Sequence, residues 1–464
     1  MAITVQNWVA VDRDNSMALR YIDLFAGLGG FHLAMKRLGH RCVFASELKD
    51  DLRKLYKINF PYTQIFGDIT AIPVEQIPPH DILCAGFPCQ PFSQAGKQQG
   101  FNDEKHRGNL FDNICAIIDY RRPRYILLEN VSNLLGHDEG RTWATIRQRL
   151  DDLDYEVPEP AILSPHEFGI PQHRKRIYIV AADRRRGGIG DFTFPEKQRI
   201  ATDIRTVIDE NETHYVKIKA DTRHQMEVWQ DFINQCVAHN QPIPRFPIWA
   251  MEFGATYDYT TAPAFQSARS LRQTLGKLGQ PITGRTVAEC LEQIPVYSQT
   301  GKEVTFPKWK ITYIRQNRDF YNRNREWLDE WIETVRDFEN SHLKMEWNCG
   351  PNATPTLDDK IIQFRASGIR VKLPNFSPAL NLVGTQVPIL PWIQLPPRTV
   401  EPGEPDRGRY MTVKEAAKLQ GMGDLKFKNR TFALAQSRCY EALGNAVNVD
   451  IVQMIAERLL PANE

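Results

Sequence analysis

None of the eight cysteines in this 464-residue chain forms a Cys-x-x-Cys pair, and their positions (42, 84, 89, 115, 236, 290, 349 and 439) follow no regular spacing. That excludes a secreted disulfide framework and points to a reducing cytoplasm. Net charge is also small: 58 Lys and Arg against 56 Asp and Glu leave +2. Overall charge therefore announces no nucleic-acid partner, and any basic surface has to be local. Local clusters exist at Arg121-Arg122-Pro123-Arg124, His173-Arg174-Lys175-Arg176 and Arg184-Arg185-Arg186, although each reads equally well as a solvated strand or helix end. No apolar run approaches the roughly eighteen residues that mark a membrane span. The stretch from Met1 to Arg20 lacks a charged region followed by an apolar core, so neither export nor insertion is expected. Internal repeats and low-complexity tracts are absent.

What is present is an ordinary globular composition, 42% hydrophobic and 25% charged, in a chain long enough for one large domain and a smaller one. Residues 20 to 182 alternate short apolar or β-branched runs with longer helical patterns. Strands are predicted at 20–25, 42–47, 81–85, 124–129 and 176–182, with helices at 31–38, 110–120 and 141–153 between them. Such alternation predicts an α/β fold with a mostly parallel, doubly wound sheet, whose functional residues cluster where strands end. Beyond Asp183 the pattern changes. Residues 187–405 carry most of the prolines and tryptophans, a charged helical stretch near 310–344, and proline-rich linkers at 391–397 and 402–405. Helical periodicity returns from Met411 to Leu460. The domain reading is 18–186 with 406–464, and 187–405 as a second domain.

The sharpest single feature is Gly86-Phe87-Pro88-Cys89-Gln90-Pro91-Phe92-Ser93. It places Cys89 in a proline-bracketed loop directly after an apolar strand, where a thiol reads as a nucleophile. Cys84, inside the strand, suits the alternative of an inert buried thiol better. At the first strand-to-helix turn stands Asp23-Leu24-Phe25-Ala26-Gly27-Leu28-Gly29-Gly30. Glycines let a backbone turn tightly and approach a ligand, and Glu47, ending the next strand, is placed to bind ribose hydroxyls. Leu33 stands where the dinucleotide fingerprint needs another glycine, which favours a nucleoside without a pyrophosphate. Asp68, in Gly67-Asp68-Ile69-Thr70, could accept from an adenine amino group or serve as a helix N-cap. Glu129, ending an apolar strand, could hold a raised pKa and donate a proton, or cap the next helix. Arg174 and Arg176 alternate at the start of a strand and so point to one face.

Taken in order, these motifs, together with Gln172-His173-Arg174-Lys175-Arg176, Arg409-Tyr410-Met411-Thr412-Val413-Lys414-Glu415 and Gly444-Asn445-Ala446-Val447, resemble the cytosine-5 DNA methyltransferases of bacterial restriction-modification type. The resemblance covers residues 21 to 182 and 409 to 459. It implies a Rossmann-like class I methyltransferase sheet with a second, smaller target-recognition domain. It further implies S-adenosyl-L-methionine as cofactor, with S-adenosyl-L-homocysteine as product and no metal. Phe25 would face the adenine, Glu47 the ribose, and Asp68 the adenine amino group with Ile69 beside it. Gly27, Gly29 and Gly30 would form the turn, Pro88 would line the methyl-donor side, and Asn445 with Val447 would close the pocket. Leu48 departs from members that carry an aromatic there, as Lys414 and Met422 depart from arginine and phenylalanine on a scaffold helix.

The same resemblance makes Cys89 the nucleophile toward carbon 6 of a flipped cytosine, and Glu129 the proton donor to N3 that also fixes the exocyclic amine. Arg176 would contact the base carbonyl, Arg174 would support the thiol and a phosphate, and residues 92–109 would be the loop that closes over the base. Expected partners are double-stranded DNA and a cognate restriction endonuclease, with no membrane, for a monomer in the cytoplasm, associated with the nucleoid when on DNA. Two other readings stand beside this one. An RNA cytosine-5 methyltransferase is disfavoured by the long variable segment, and a catalytically inactive DNA-binding relative by the presence of Cys89, Glu129 and both arginines.

Overall fold

The computed structural model describes residues 18–88, 110–198, 200–380 and 386–461. Cys89 and the 92–109 segment lie outside the described residues. The first eight strands are β1 (Arg20–Leu24), β2 (Arg41–Ser46), β3 (Ile65–Phe66), β4 (Ile82–Gly86), β5 (Tyr125–Val131), β6 (Tyr155–Glu156), β7 (Ala161–Leu163) and β8 (Arg176–Asp183). They form one sheet in the order β3-β2-β1-β4-β5-β8-β6, with β7 also on β8. Pairing is parallel from β3 through β5, whereas β8 runs antiparallel to β5. Helices α1 (Gly30–Arg37), α2 (Asp50–Asn59), α3 (Leu110–Arg121) and α4 (Arg141–Asp152) connect the strands. Ile22, Leu24, Leu83, Ala85, Ile126, Leu128, Ile177 and Ile179 form a core with Phe111, Ile114 and Ile118 of α3 and Ile146 and Leu150 of α4. Near-continuous apolar strands are what a sheet covered on both faces requires.

The chain winds outward from β1 through β2 to β3 and then returns to β4 on the other side, so the order reverses between β1 and β4. Ligands bind at such a switch point, beyond the carboxyl ends of the strands. The antiparallel course of β8 adds a consequence that a run of apolar residues does not reveal. Arg176, at its beginning, pairs with Val131 at the end of β5, so an N-terminal residue arrives at the carboxyl edge of the sheet.

A second compact unit takes residues 203–377 and 386–412, and the first takes 18–202, 378–380 and 413–461. The boundaries therefore fall later than 186/187 and 405/406. The second unit contains β9 (Ile248–Trp249), β10 (Lys344–Asn348), β11 (Ile361–Arg365), β12 (Gly368–Lys372), β13 (Ile389–Gln394) and β14 (Arg407–Tyr410), in the order β14-β13-β11-β12-β10-β9. β14 belongs here because it pairs with β13. The expected linker at 391–397 is corrected for the same reason: Pro391 lies inside β13. Proline has no N–H to give a ladder, and the pairing is interrupted between Leu390 and Gln394.

Helices α5 (Ala220–Ala238), α6 (Ala268–Leu271), α7 (Val287–Leu291), α8 (Lys308–Arg323) and α9 (Arg325–Thr334) complete this unit. Trp229, Phe232, Phe253, Phe320, Trp327 and Trp331 pack on Met345, Trp347, Ile369 and Val371, which accounts for the tryptophan content of the segment. Beneath them Glu252, fully buried, accepts from the Tyr297 hydroxyl (2.6 Å), Arg318 Nε (2.9 Å) and the Tyr257 hydroxyl. Glu252→Gln strands the Arg318 charge, and a loss of about 3 kcal/mol is expected, read as a lower denaturation midpoint. The chain then re-enters the first unit through α10 (Val413–Leu419), α11 (Gln436–Asn445) and α12 (Val449–Leu459). Among the described residues, no helix is long and apolar enough to cross a membrane.

Candidate active site

The turn after β1 curls through left-handed backbone at Phe25 (φ 57°), Gly27 (φ 52°) and Gly29 (φ 83°). This curl aims the Gly27 amide at Glu47 Oε2 (2.9 Å), while the Lys49 amide reaches Oε1 (2.9 Å). Glu47, ending β2's run and 9% exposed, is thus held by two backbone donors. Each oxygen keeps a second lone pair for an outside hydroxyl.

Gly29 and Gly30 have different physical reasons. A Cβ at Gly29 would come 2.4 Å from the Phe60 ring, and one at Gly30 would come 2.5 Å from Val447 Cγ2. Gly30 lines the cavity that follows, but Gly29 does not. Gly29 serves packing on α2, so its expected place in the ligand cradle is corrected.

A cavity of about 520 Å³ opens at the switch point. Phe25, Ala26, Gly27, Gly30 and Phe31 line it from the first turn, Glu47 and Leu48 from the end of β2, Asp68 and Ile69 after β3, Gly86 to Pro88 after β4, and Glu129 to Val131 from β5. Arg176 joins from β8, and Ala442, Asn445, Ala446 and Val447 from the end of α11. Asp68 is also an N-cap: its Oδ1 accepts from the Thr70 amide (3.0 Å) and hydroxyl (2.8 Å). Oδ2 takes no part in that cap. Leu48 is 67% exposed at the rim.

Glu129 and Arg176 form the polar end of the cavity. Arg176 Nε lies 3.1 Å from Glu129 Oε1, and Arg176 Nη1 donates to the Lys175 carbonyl at 2.8 Å. Burial pushes the Glu129 carboxyl up, while Arg174 and Arg176 pull it back part of the way. The outcome is a carboxyl that holds its proton to higher pH than an exposed one.

Arg174 does something other than expected. β8 begins at Arg176, so the two arginines do not share a strand face. Arg174 is 2% exposed and donates Nη1 to the Gly444 carbonyl and Nη2 to the Ala446 carbonyl, both at 2.7 Å. It is committed to the end of α11, which corrects its assignment to a phosphate.

Two further polar residues near the site, Asn130 and Asp23, have no role in the reading of the sequence. Asn130 Nδ2 donates to the Phe87 carbonyl at 2.9 Å, and its Oδ1 accepts from the Val131 amide at 2.7 Å. It therefore fixes the backbone leading toward Pro88. A second polar residue straight after Glu129 in an apolar strand was the available signal. Asp23 is fully buried and neither carboxylate oxygen has a hydrogen-bond partner. Burial pushes this carboxyl well up, against the His32 backbone amide and with the Glu47 charge adding to it. An acid inside an apolar strand was the cue.

A doubly wound sheet with an amide-held carboxylate after its second strand, and a carboxyl–guanidinium pair in the same cavity, defines a Rossmann-like α/β protein with its site at the switch point of the sheet. The chain belongs to the C-5 cytosine-specific DNA methylase family, whose model matches residues 19–460. It is 29% identical over 501 residues to the type II methyltransferase M.AluI of Cellulosimicrobium cellulans, covering 94% of this chain and 90% of that protein. It is 49% identical over 182 residues to M.HpaII of Haemophilus parainfluenzae (38% of this chain, 49% of that protein). With M1.ScrFI of Lactococcus lactis subsp. cremoris it shares 46% over 208 residues (43% and 52%). The chain thus spans about half the length of the latter two relatives.

Proposed function

We propose that this chain is a sequence-specific DNA (cytosine-5-)-methyltransferase, acting as a monomer in the cytoplasm as the modification enzyme of a restriction-modification system. The observation that carries the reading is the Glu129–Arg176 pair in the cavity that Glu47, Asp68 and Pro88 also line. The donor set suits S-adenosylmethionine: a carboxylate for vicinal ribose hydroxyls at Glu47, apolar walls at Phe25 and Ile69, and a carboxylate at Asp68 for an amino group. When bound, that cofactor supplies an electrophilic methyl group on a sulfonium.

Carbon 5 of cytosine is too weak a nucleophile to take that methyl unaided. The Cys89 thiolate adds to carbon 6, while Glu129 gives its proton to N3 and Arg176 steadies the base carbonyl, leaving an enamine. Carbon 5 then gains the methyl and afterwards loses its proton to solvent. The carbon 6–sulfur bond breaks to release the thiolate, and N3 returns its proton to Glu129. The target base leaves the duplex to enter the cavity. The relatives' names as type II methyltransferases support the restriction-modification setting, which brings a cognate endonuclease of the same site specificity.

Target recognition falls to the second unit. One face of its sheet is apolar, through Met345, Trp347, Ile369 and Val371. Alternation puts Lys344, Glu346, Asn348, Arg370 and Lys372 on the other face, with Glu346 opposite Arg370 and Asn348 opposite Lys372. Glu346 holds Arg365 at 2.9 Å and Arg370 at 3.2 Å. Lys372 lies 4.0 Å from the Phe376 ring centre, and burial beside Arg370 brings its ammonium down to about 8. Four cations thus face one carboxylate, a local excess that suits phosphates. Replacing both Arg370 and Lys372 with alanine is expected to reduce the slope of log K against log salt for duplex binding by up to about 2, at roughly 0.9 per phosphate contact. An unchanged slope removes this face from the DNA interface.

Bisulfite sequencing of DNA from cells expressing the protein tests the function as a whole. A single sequence context shared by all protected cytosines is expected. Transfer of labelled methyl to transfer RNA and not to duplex DNA would overturn the assignment.

A further inference from the structure

The two arginines of Gln172-His173-Arg174-Lys175-Arg176 divide their work. Arg176 lines the cavity and touches Glu129. Arg174 is absent from the cavity wall and buried, and it is fixed at both ends. Its backbone amide donates to Ser164 Oγ at 2.9 Å. Ser164 starts the short helix Pro165–Phe168, with Glu167 closing a reciprocal cap. The guanidinium grips the carbonyls of Gly444 and Ala446. These carbonyls flank Asn445, and the next residue is Val447, so the fork holds the stretch that supplies the cavity's C-terminal wall. Arg174 Nε, also buried, has no hydrogen-bond partner. Only a planar cation with separate donors holds two carbonyls two residues apart while keeping its charge beside a carboxyl; a lysine offers one ammonium point.

We infer that Arg174 is a positioning residue that serves two sides of the site at once, its fork holding the Asn445–Val447 wall and its buried charge facing Glu129. The inference rests on the reading of this cavity as the S-adenosylmethionine pocket. The groups facing Glu129 are Arg174 and Arg176, together with Tyr178, which pairs with it across β5 and β8. Burial pushes the Tyr178 phenol up and brings Arg174 down only to about 10. Near neutral pH Tyr178 is therefore neutral and Arg174 charged. The Arg174 charge lowers the Glu129 carboxyl, as do the charge and the hydrogen bond of Arg176. Removal of Arg174 raises that pKa further. Glu129 works as an acid, so activity falls as pH rises through its pKa, and a higher pKa moves this alkaline limb upward.

Two variants separate fork from charge. R174M loses both, and R174K keeps the charge and loses the fork. Affinity for S-adenosylhomocysteine is measured by calorimetry, and the pH profile of kcat on duplex DNA is recorded beside it. In R174M affinity is expected to fall at least about tenfold, as two charge-assisted bonds are lost, and the alkaline limb to move to higher pH. In R174K affinity falls comparably and the limb stays in place. Wild-type affinity in both variants overturns the inference, as does an unmoved limb in R174M. Should R174M not fold, R174K decides alone. Weakened binding with an unchanged melting midpoint supports the positioning of the wall, whereas unchanged binding, or binding lost in step with the midpoint, overturns it. If the wild-type protein binds no S-adenosylhomocysteine, the pocket assignment itself has failed, and the positioning role with it.

Discussion

Cys89→Ser is expected to lower methyl transfer to duplex DNA by at least about 10³-fold while leaving S-adenosylhomocysteine affinity within a few-fold of wild type. The reason is the first bond. A thiol with an ordinary pKa near 8.5 supplies some thiolate at neutral pH, whereas a serine hydroxyl supplies almost no alkoxide and has no evident base beside it in the motif. Without addition at carbon 6 the pyrimidine cannot donate electrons from carbon 5. The residues proposed to hold the cofactor, Phe25, Glu47, Asp68 and Asn445 to Val447, line the described cavity and keep their identity in this variant. Single-turnover methylation beside calorimetric binding measures both halves. Full methylation by C89S rules out the covalent route.

Glu129→Gln is expected to cost about 10² to 10⁴ in kcat, the range for loss of a positioned general acid. The amide fills the same space but carries no proton to give to N3. It also leaves Arg176 without the carboxylate that lies 3.1 Å from its Nε in the native site. The pH profile is the more pointed measurement. Burial raises the Glu129 carboxyl, so in the wild type the acid form persists above the ordinary carboxylate range and activity declines as pH rises through the shifted pKa. In E129Q that alkaline limb disappears and the low residual rate is flat there. A limb that survives in E129Q would assign the titration to another group.

Much of the site was legible because it is written in short, contiguous pieces. The glycine turn after β1, the acid just after β2, the acid after β3 and Glu129, two residues before the end of β5, all sit at or near the point where a strand meets a connection. Alternating apolar runs locate such points without any tertiary information. Their order along the chain also carried the resemblance to the family whose model spans residues 19–460. Asp68 shows where local reading stops. Its side chain serves the cap with Thr70 and also lines the cavity, so the two readings offered by its motif describe one residue.

Local reading erred where contacts cross long stretches of sequence. Spacing alone put Arg174 and Arg176 on one face, but the partners of Arg174 lie 270 and 272 residues away, at Gly444 and Ala446. Gly29 looked like a ligand-approach glycine, and only the position of the Phe60 ring shows that its missing side chain serves packing. Pro391 looked like a linker residue because a proline's place in a strand depends on which neighbours need its absent N–H.

By itself the sequence determined the alternation that makes a doubly wound sheet, the chemical types at each strand end, and the family. Those follow from side-chain periodicity and backbone propensity, which act over a few residues. Tertiary structure alone decided that β8 runs antiparallel and so delivers Arg176 to Glu129, that Asn130 anchors Phe87, and that Arg174 grips the α11 exit. Each depends on distant segments converging, and burial, hydrogen-bond partners and pKa direction exist only once they have converged.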